Sequence, residues 1–130
     1  MRHQVAWFVA KIESDCGTSN PLPYQAVDVN DGGAWQSKTS QAIIPLTGLY
    51  YLHLEAVAHY KRTMQVLVTV NNATTLFTLN EMFASQDVEH NRGMGDVVRL
   101  MQGDRVIVAL PPGNYCISMS SFNGLLITIV

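Results

Sequence analysis

Hydrophobic and polar residues alternate along much of this chain, most clearly between residues 42 and 57. One set of alternate positions there is apolar or aromatic: Tyr50, Leu52, Leu54 and Ala56. The intervening positions mix apolar and polar side chains: Leu49, Tyr51, His53 and Glu55. Period-two alternation predicts a strand with one face in a core. Because Leu49 and Tyr51 would expose apolar surface on the second face to water, we expect another part of the chain or another subunit to cover that face.

Short apolar segments of the same kind recur along the chain, and helical periodicity is nearly absent. Five more segments are rich in β-branched and aromatic residues: 5–12, 64–70, 74–79, 104–110 and 122–130. Turn residues separate them at 70–74, 102–104 and 111–114. Nine or ten short strands at this spacing predict an all-β sandwich or jelly roll. The charged segment 80–96 is interpreted as a long loop with a short strand at its end.

Composition then limits the classes of protein. A chain of 130 residues predicts one domain, 1–130, that can bury a core without disulfides. The net charge is −2 and no cationic run exceeds Lys61-Arg62, which argues against nucleic acid as a partner. No apolar run approaches the roughly 18 residues of a membrane span, and the first twelve residues do not form a signal peptide. Only 14% of the residues are charged and 48% are hydrophobic, which indicates extra buried surface, as in an oligomer.

A set of residues recurs at specific intervals between positions 24 and 54: Tyr24, Asn30, Trp35, Ala42, Gly48, Tyr50, Leu52 and Leu54. These intervals resemble the signature of the complement C1q-like globular domain family. Segments 5–11, 101–111 and 120–130 are similar to the family's opening strand, Gly-Asp turn and C-terminal strand. The departures are at positions where the family has aromatic residues or glycine: Ala42, Leu52, Leu54 and Ser40.

The resemblance implies a ten-stranded jelly roll that assembles as a tight homotrimer, an architecture shared with tumour-necrosis-factor ligands. One face of the strand at 48–56 would fill the core, and part of the other would contact a neighbouring subunit. The candidate contact residues are Leu49, Tyr51, Phe122 and Leu125. The alternative is that Tyr51 and Leu49 lie under a loop of the same chain.

No motif for catalysis or for a transition metal is present. The four histidines have no metal-ligand spacing, and there is no nucleophile elbow or phosphate-binding glycine loop. We therefore expect a protein that is not an enzyme and needs no cofactor, with calcium as the one exception to consider.

Acidic residues cluster in the segment 80–96, and three of them are candidate calcium ligands: Glu81, Asp87 and Glu89. Some members of the resembled family bind calcium near the trimer axis through acidic residues of this region. Where that pattern has Asp before Glu, this chain has Asn80-Glu81. The alternative is a solvated acidic loop balanced by Arg92 and Arg99.

Cys16 and Cys116 are the two cysteines. They could be inert thiols of a cytosolic protein. In the resembled fold, however, the first and last strands pair antiparallel, which implies a disulfide and an oxidising compartment. Asn72-Ala73-Thr74 is an N-glycosylation sequon at the expected hairpin tip.

These observations favour a secreted, non-enzymatic recognition module. It would bind carbohydrate or another microbial or cell-surface ligand, as an innate-immune, lectin-like protein. Asn114 and Tyr115, after a Pro-Pro-Gly turn, are the candidate ligand residues, although Tyr115 could simply pack at the subunit edge. The alternatives are a cytokine-like or synaptic-organiser ligand for a protein receptor, and a purely structural trimerisation module.

Overall fold

The computed structural model describes residues 4–58, 63–81 and 90–130. These residues form eleven β-strands: β1 (Ala6–Lys11), β2 (Asp15–Cys16), β3 (Ala26–Asp31), β4 (Trp35–Gln36), β5 (Gln41–Ile43), β6 (Gly48–Ala58), β7 (Met64–Val70), β8 (Thr74–Glu81), β9 (His90–Leu100), β10 (Arg105–Ala109) and β11 (Cys116–Ile129). Within the same ranges no helix is long and apolar enough to cross a membrane.

The strands form two antiparallel sheets. The first sheet has the order β3-β1-β11-β6-β9, with β2 paired to β11, and the second has the order β4-β5-β10-β7-β8. One cluster of buried side chains from both sheets forms the core between them. The predicted all-β sandwich is therefore confirmed. The resemblance implied ten strands. The described residues form eleven, of which β2 and β4 are only two residues long.

One strand is longer than the sequence indicated. β9 has eleven residues and pairs with β6 from Gly48↔Leu100 to Ala58↔His90. The expectation of a loop with only a short strand at its end is therefore wrong for 90–96. The sequence predicted a loop here because glycine and charged residues, which have low β-propensity, are frequent in this segment. Its pairing with β6 outweighs that preference.

The predicted alternation on β6 is confirmed. Its inward row, consisting of Tyr50, Leu52, Leu54 and Ala56, is completely buried. Burying one leucine side chain stabilises the folded state by about 1.5–3 kcal/mol, so this row is a large part of the core. The outward row is half-buried or exposed over the same length.

An aromatic cluster joins the two sheets at Phe122. Its ring centroid lies 5.9 Å from that of Trp7 and 6.3 Å from that of Trp35. Phe122 is 0% exposed within the single chain, so the prediction that it contacts a neighbouring subunit is wrong. The physical reason is the alternation on β11, which directs Phe122 inward while Leu125 remains 45% exposed. A Cβ at Gly124 would collide with the Trp7 indole, so glycine allows the ring to pack there.

Asn30 closes the turn that leads into Trp35. Its side-chain Nδ2 donates to the Trp35 carbonyl at 3.0 Å, and its Oδ1 accepts from the Trp35 N–H at 2.9 Å. Gly32 and Gly33 between them have φ angles of 80° and 69°, a region that glycine adopts without steric cost. The interval between Asn30 and Trp35 in the sequence is therefore the length of one turn, which the Asn30 side chain stabilises.

Cys16 and Cys116 are joined by a disulfide, with their Cα atoms 4.1 Å apart. The two residues are directly opposite each other where β2 pairs with β11. Beside them the first strand runs antiparallel to the last, with Lys11 opposite Ser120. The bridge therefore ties the segment that follows β1 to the beginning of β11.

We expect the double variant Cys16→Ser/Cys116→Ser to unfold at a lower denaturant concentration than the wild type. The closed loop has a sequence separation of 100 residues. For a loop of that length the chain-entropy model gives a loss of about 4 to 5 kcal/mol. Urea unfolding followed by tryptophan fluorescence measures it. Equal midpoints for wild type and double variant would show that the bridge does not restrict the unfolded chain.

Candidate subunit and ligand surfaces

Among the described residues, the large apolar side chains that remain exposed belong to one of the two sheets. Within the described ranges, the large hydrophobic residues that remain exposed are Phe8, Ile12, Val27, Tyr51, Met94, Val97, Met101, Met119, Leu125, Ile127, Ile129 and Val130. Every one belongs to a strand of the first sheet or directly follows such a strand. None belongs to β4, β5, β7, β8 or β10. Phe8, Tyr51, Val97 and Leu125 lie on the outward rows of their strands, and the outer face that they share is here called the apolar face. Met94 lies opposite the buried Leu54, so it belongs to the inner row at the edge of the sheet.

A hydrogen-bonded row of side chains crosses the apolar face along β6. The Tyr51 hydroxyl lies 3.2 Å from His53 Nδ1, and His53 Nε2 lies 3.2 Å from Glu55 Oε1. Because a carboxylate only accepts, the neutral ring that satisfies both contacts donates from Nε2 and accepts from the Tyr51 hydroxyl at Nδ1. The two rings also stack, with an interplanar angle of 23°.

Two glycines of β9 provide the space for this row. A Cβ at Gly95 would collide with the Tyr51 phenol, and a Cβ at Gly93 would lie 3.3 Å from Glu55 Cγ. The row therefore lies flat across β9, and Tyr51 remains 39% exposed. No loop of the described residues covers Tyr51, which removes that alternative for this side chain within those residues.

A hollow of about 390 Å³ lies beside the row on the apolar face. Its lining brings Tyr51 and Leu125, two of the predicted contact residues, together with Phe8. Leu49 is on the same outward row of β6 and is half-buried. Sequence reasoning missed Phe8, although its position between the buried Trp7 and Val9 is the same period-two signal.

The predicted ligand residues Asn114 and Tyr115 lie in the turn before β11. Asn114 is exposed, and Tyr115 is half-buried with its ring against the edge of the core. A Cβ at Gly113 would lie 2.6 Å from the Tyr115 ring, so the ring rests over that glycine. The Tyr115 carbonyl accepts from the Gly17 N–H at 3.0 Å, which fixes the turn against the residue after Cys16.

The predicted calcium ligands are not tested. Asp87, Glu89 and the side chain of Glu81 lie outside the described residues. In the ranges that are described, no group of three or more His, Cys, Asp or Glu residues could hold a metal ion. Calcium binding stays a prediction.

Tyr24 is buried and makes hydrogen bonds through both its side chain and its backbone. Its hydroxyl donates to Ser120 Oγ at 2.8 Å, since Ser120 Oγ itself donates to the Glu55 carbonyl at 2.7 Å. Its backbone N–H donates to Ser40 Oγ at 3.1 Å, where Ser40 has a φ of 47°. That left-handed φ is a conformation in which glycine is common, the residue that the resembled family has at this position. Burial raises the pKa of the Tyr24 phenol well above its usual range.

The two antiparallel sheets with one core between them place the protein in the class of all-β sandwich domains. The family model for the C1q domain matches residues 7–127, so the chain belongs to the C1q domain family. Among solved structures, the globular domain of zebrafish complement 1qA protein is 21% identical with a TM-score of 0.80, and the match covers 97% of this chain and 99% of that one.

Two further structures share the fold at lower identity. Eiger TNF from S. frugiperda is 14% identical with a TM-score of 0.80, covering 99% of this chain and 96% of that one. Murine APRIL at pH 5.0 is 15% identical with a TM-score of 0.75, covering 96% of this chain and 100% of that one. At these identities the similarity establishes the fold alone.

We expect the stability of the protein to fall above about pH 10, the usual pKa of a tyrosine. Burial raises the pKa of both Tyr24 and Tyr50, so the folded state retains phenol protons that the unfolded chain releases. The contribution of the two protonated phenols to the free energy of unfolding is complete below pH 10. Above that pH it declines by at most about 1.4 kcal/mol per pH unit for each group. Urea unfolding between pH 7 and pH 11 measures this loss.

The variant Tyr24→Phe is the matched control for that experiment. It should cost about 1 kcal/mol at pH 7, because the hydrogen bond to Ser120 is lost. Above pH 10 its stability should fall less steeply than that of the wild type. Parallel curves for the two proteins would show that Tyr24 titrates alike in the folded and unfolded states.

Proposed function

We propose that this C1q domain is a non-enzymatic recognition module that works as a secreted homotrimer. The observation that carries the proposal is the confinement of exposed apolar side chains to the first sheet. A monomer would leave Phe8, Tyr51, Val97 and Leu125 in water on one contiguous face. Three copies around a threefold axis bury such a face, because each subunit contacts the next and no subunit keeps its apolar face exposed.

An interface of this kind should be obligate. Permanent interfaces of oligomers commonly bury more than roughly 2,000 Å² and are core-like in composition. The apolar face, with its central aromatic residue and its hollow, has that composition. Each side chain of the polar row of Tyr51, His53 and Glu55 has a hydrogen-bond partner within the row, which lowers the cost of burying it.

The trimer would present its loops to a ligand on a cell or microbial surface. Three weak sites on one particle gain avidity toward a repetitive surface such as a glycan coat. Asn114 and Tyr115 are suited to such a site, since an exposed amide stands beside an aromatic ring in a turn braced by the disulfide segment. The disulfide also supports a secreted location, because such bridges persist in oxidising compartments.

Tyr51→Glu should abolish assembly, since it places a charge at the centre of the apolar face where it would be buried without a partner. Size-exclusion chromatography with light scattering measures the mass, and circular dichroism checks the fold. Thr75→Glu is the matched control, because Thr75 is exposed on the second sheet, and it should remain a trimer. A well-folded wild-type monomer at micromolar concentration would refute the trimer.

Asn114→Ala should weaken glycan binding without changing the oligomer. Losing one hydrogen bond costs about 1 kcal/mol, which is roughly a fivefold to tenfold weaker affinity per site. The double variant Asn114→Ala/Tyr115→Ala should abolish binding on a glycan array. Light scattering and a melting curve on the same samples establish that the trimer persists. Unchanged binding by the folded double variant would exclude this turn as the site.

A further inference from the structure

The tip of the β7–β8 hairpin carries two asparagines in very different surroundings. Asn71 and Asn72 have φ angles of 56° and 54°, and the Ala73 N–H donates to the Val70 carbonyl across the turn at 3.1 Å. The Asn71 side chain is held on both sides. Its Nδ2 donates to Asp104 Oδ1 at 3.0 Å, and its Oδ1 accepts from a backbone N–H at 2.9 Å.

Asn72 is the opposite case. Its side chain is exposed, and it makes no hydrogen bond to any residue in the described part of the chain. It is also the asparagine of the one Asn-x-Ser/Thr sequon among the 130 residues, Asn72-Ala73-Thr74. Asn71 thus braces the turn and leaves its neighbour free to be modified.

A groove of about 270 Å³ begins at Asn72 and runs over the outer face of the second sheet. The small side chain of Ala109 and the aliphatic Leu67 belong to its apolar lining, and Thr18 and Asn20 add a hydroxyl and an amide. The segment that carries Thr18 and Asn20 is fixed to the end of β10 by two backbone hydrogen bonds between Ser19 and Leu110, of 3.1 and 2.8 Å. The wall of the groove is therefore preformed.

The lining of this groove contains no charged residue. A neutral ligand with hydroxyl and amide groups on an apolar ring suits such a lining, whereas a charged ligand would lose hydration without gaining a partner. The groove is slightly smaller than the roughly 300 Å³ of the smallest typical ligand pockets, so it suits a single sugar ring better than a larger molecule.

We propose that Asn72 carries an N-linked glycan and that its first N-acetylglucosamine residue lies in this groove. The inference rests on the secreted location in the proposed function. A sugar attached at the rim has a high effective concentration in the groove, so weak contacts are sufficient to hold it. The groove belongs to the second sheet, away from the apolar face, so the glycan does not obstruct the proposed trimer.

The modification is a transfer from a lipid-linked oligosaccharide diphosphate by the transferase of the secretory pathway. A bond forms between Asn72 Nδ2 and the anomeric carbon of the sugar, and the bond from that carbon to the diphosphate oxygen breaks. The amide loses one proton to a base of the transferase, and the lipid diphosphate leaves with the bonding electron pair.

The first test is the mass of the chain, expressed behind a secretion signal in mammalian cells treated with kifunensine. Intact mass before and after peptide N-glycosidase should differ by one oligomannose glycan. Asn72→Gln and Thr74→Ala should lack it, while Thr74→Ser and the matched control Thr75→Ala should retain it. Unmodified wild-type chain in the secreted, folded fraction would overturn the proposal, and light scattering on that fraction tests the trimer separately.

The second test concerns the groove. Endoglycosidase H leaves one N-acetylglucosamine on Asn72, and hydrogen exchange of this form is compared with that of Asn72→Gln. We expect slower amide exchange in residues 18–20 and 109–112 of the trimmed protein, and a higher melting temperature. Identical exchange in these segments, with the glycan present, would overturn the placement of the sugar in the groove.

Discussion

The pairing of β6 with β11 on one side and β9 on the other is the constraint on which the rest of the structure depends. β6 is paired along its whole length on both sides. Because side chains alternate with a period of two, this register determines which residues face the core. A shift by one residue would turn Tyr51, His53 and Glu55 into the core and expose Tyr50 and Leu52. The hydrogen-bonded row and the buried row are thus two results of one register.

The same register explains why the first sheet has two different apolar surfaces. Its inner surface packs through Phe122 against the second sheet, while its outer surface remains in water within the single chain. In the second sheet, among the described residues, no large hydrophobic side chain is exposed, although Leu67 contributes to an apolar groove on its outer face. The proposed trimer contact uses the outer face of the first sheet, and the proposed glycan lies on the second sheet. The two proposals therefore involve different residues.

Side-chain hydrogen bonds and the disulfide stabilise the turns that border these surfaces. Asn30 braces the turn before Trp35, and Asn71 braces the hairpin tip, in both cases through a side-chain amide bonded to backbone groups. The disulfide of Cys16 and Cys116 performs a similar task for the segment after β1. The Asn30 contacts are local, whereas the Asn71 contacts and the disulfide join residues far apart in sequence, so the hairpin tip and the segment after β1 are positioned by neighbouring strands.

The sequence by itself determined the strand class, the alternation on β6, the turn at 70–74 and the family. Each of these depends on residues close in sequence, or on the fixed spacing of signature residues such as Tyr24 and Trp35 that meet in the core. Only the tertiary structure decided which apolar residues stay outside, because burial depends on strands far apart in sequence. Phe122 and Leu125 are three positions apart, so they face opposite sides of β11, and only the structure shows that the side of Phe122 is the one covered by Trp7 and Trp35. Composition also suggested a short strand before residue 96, whereas pairing with β6 extends it back to His90.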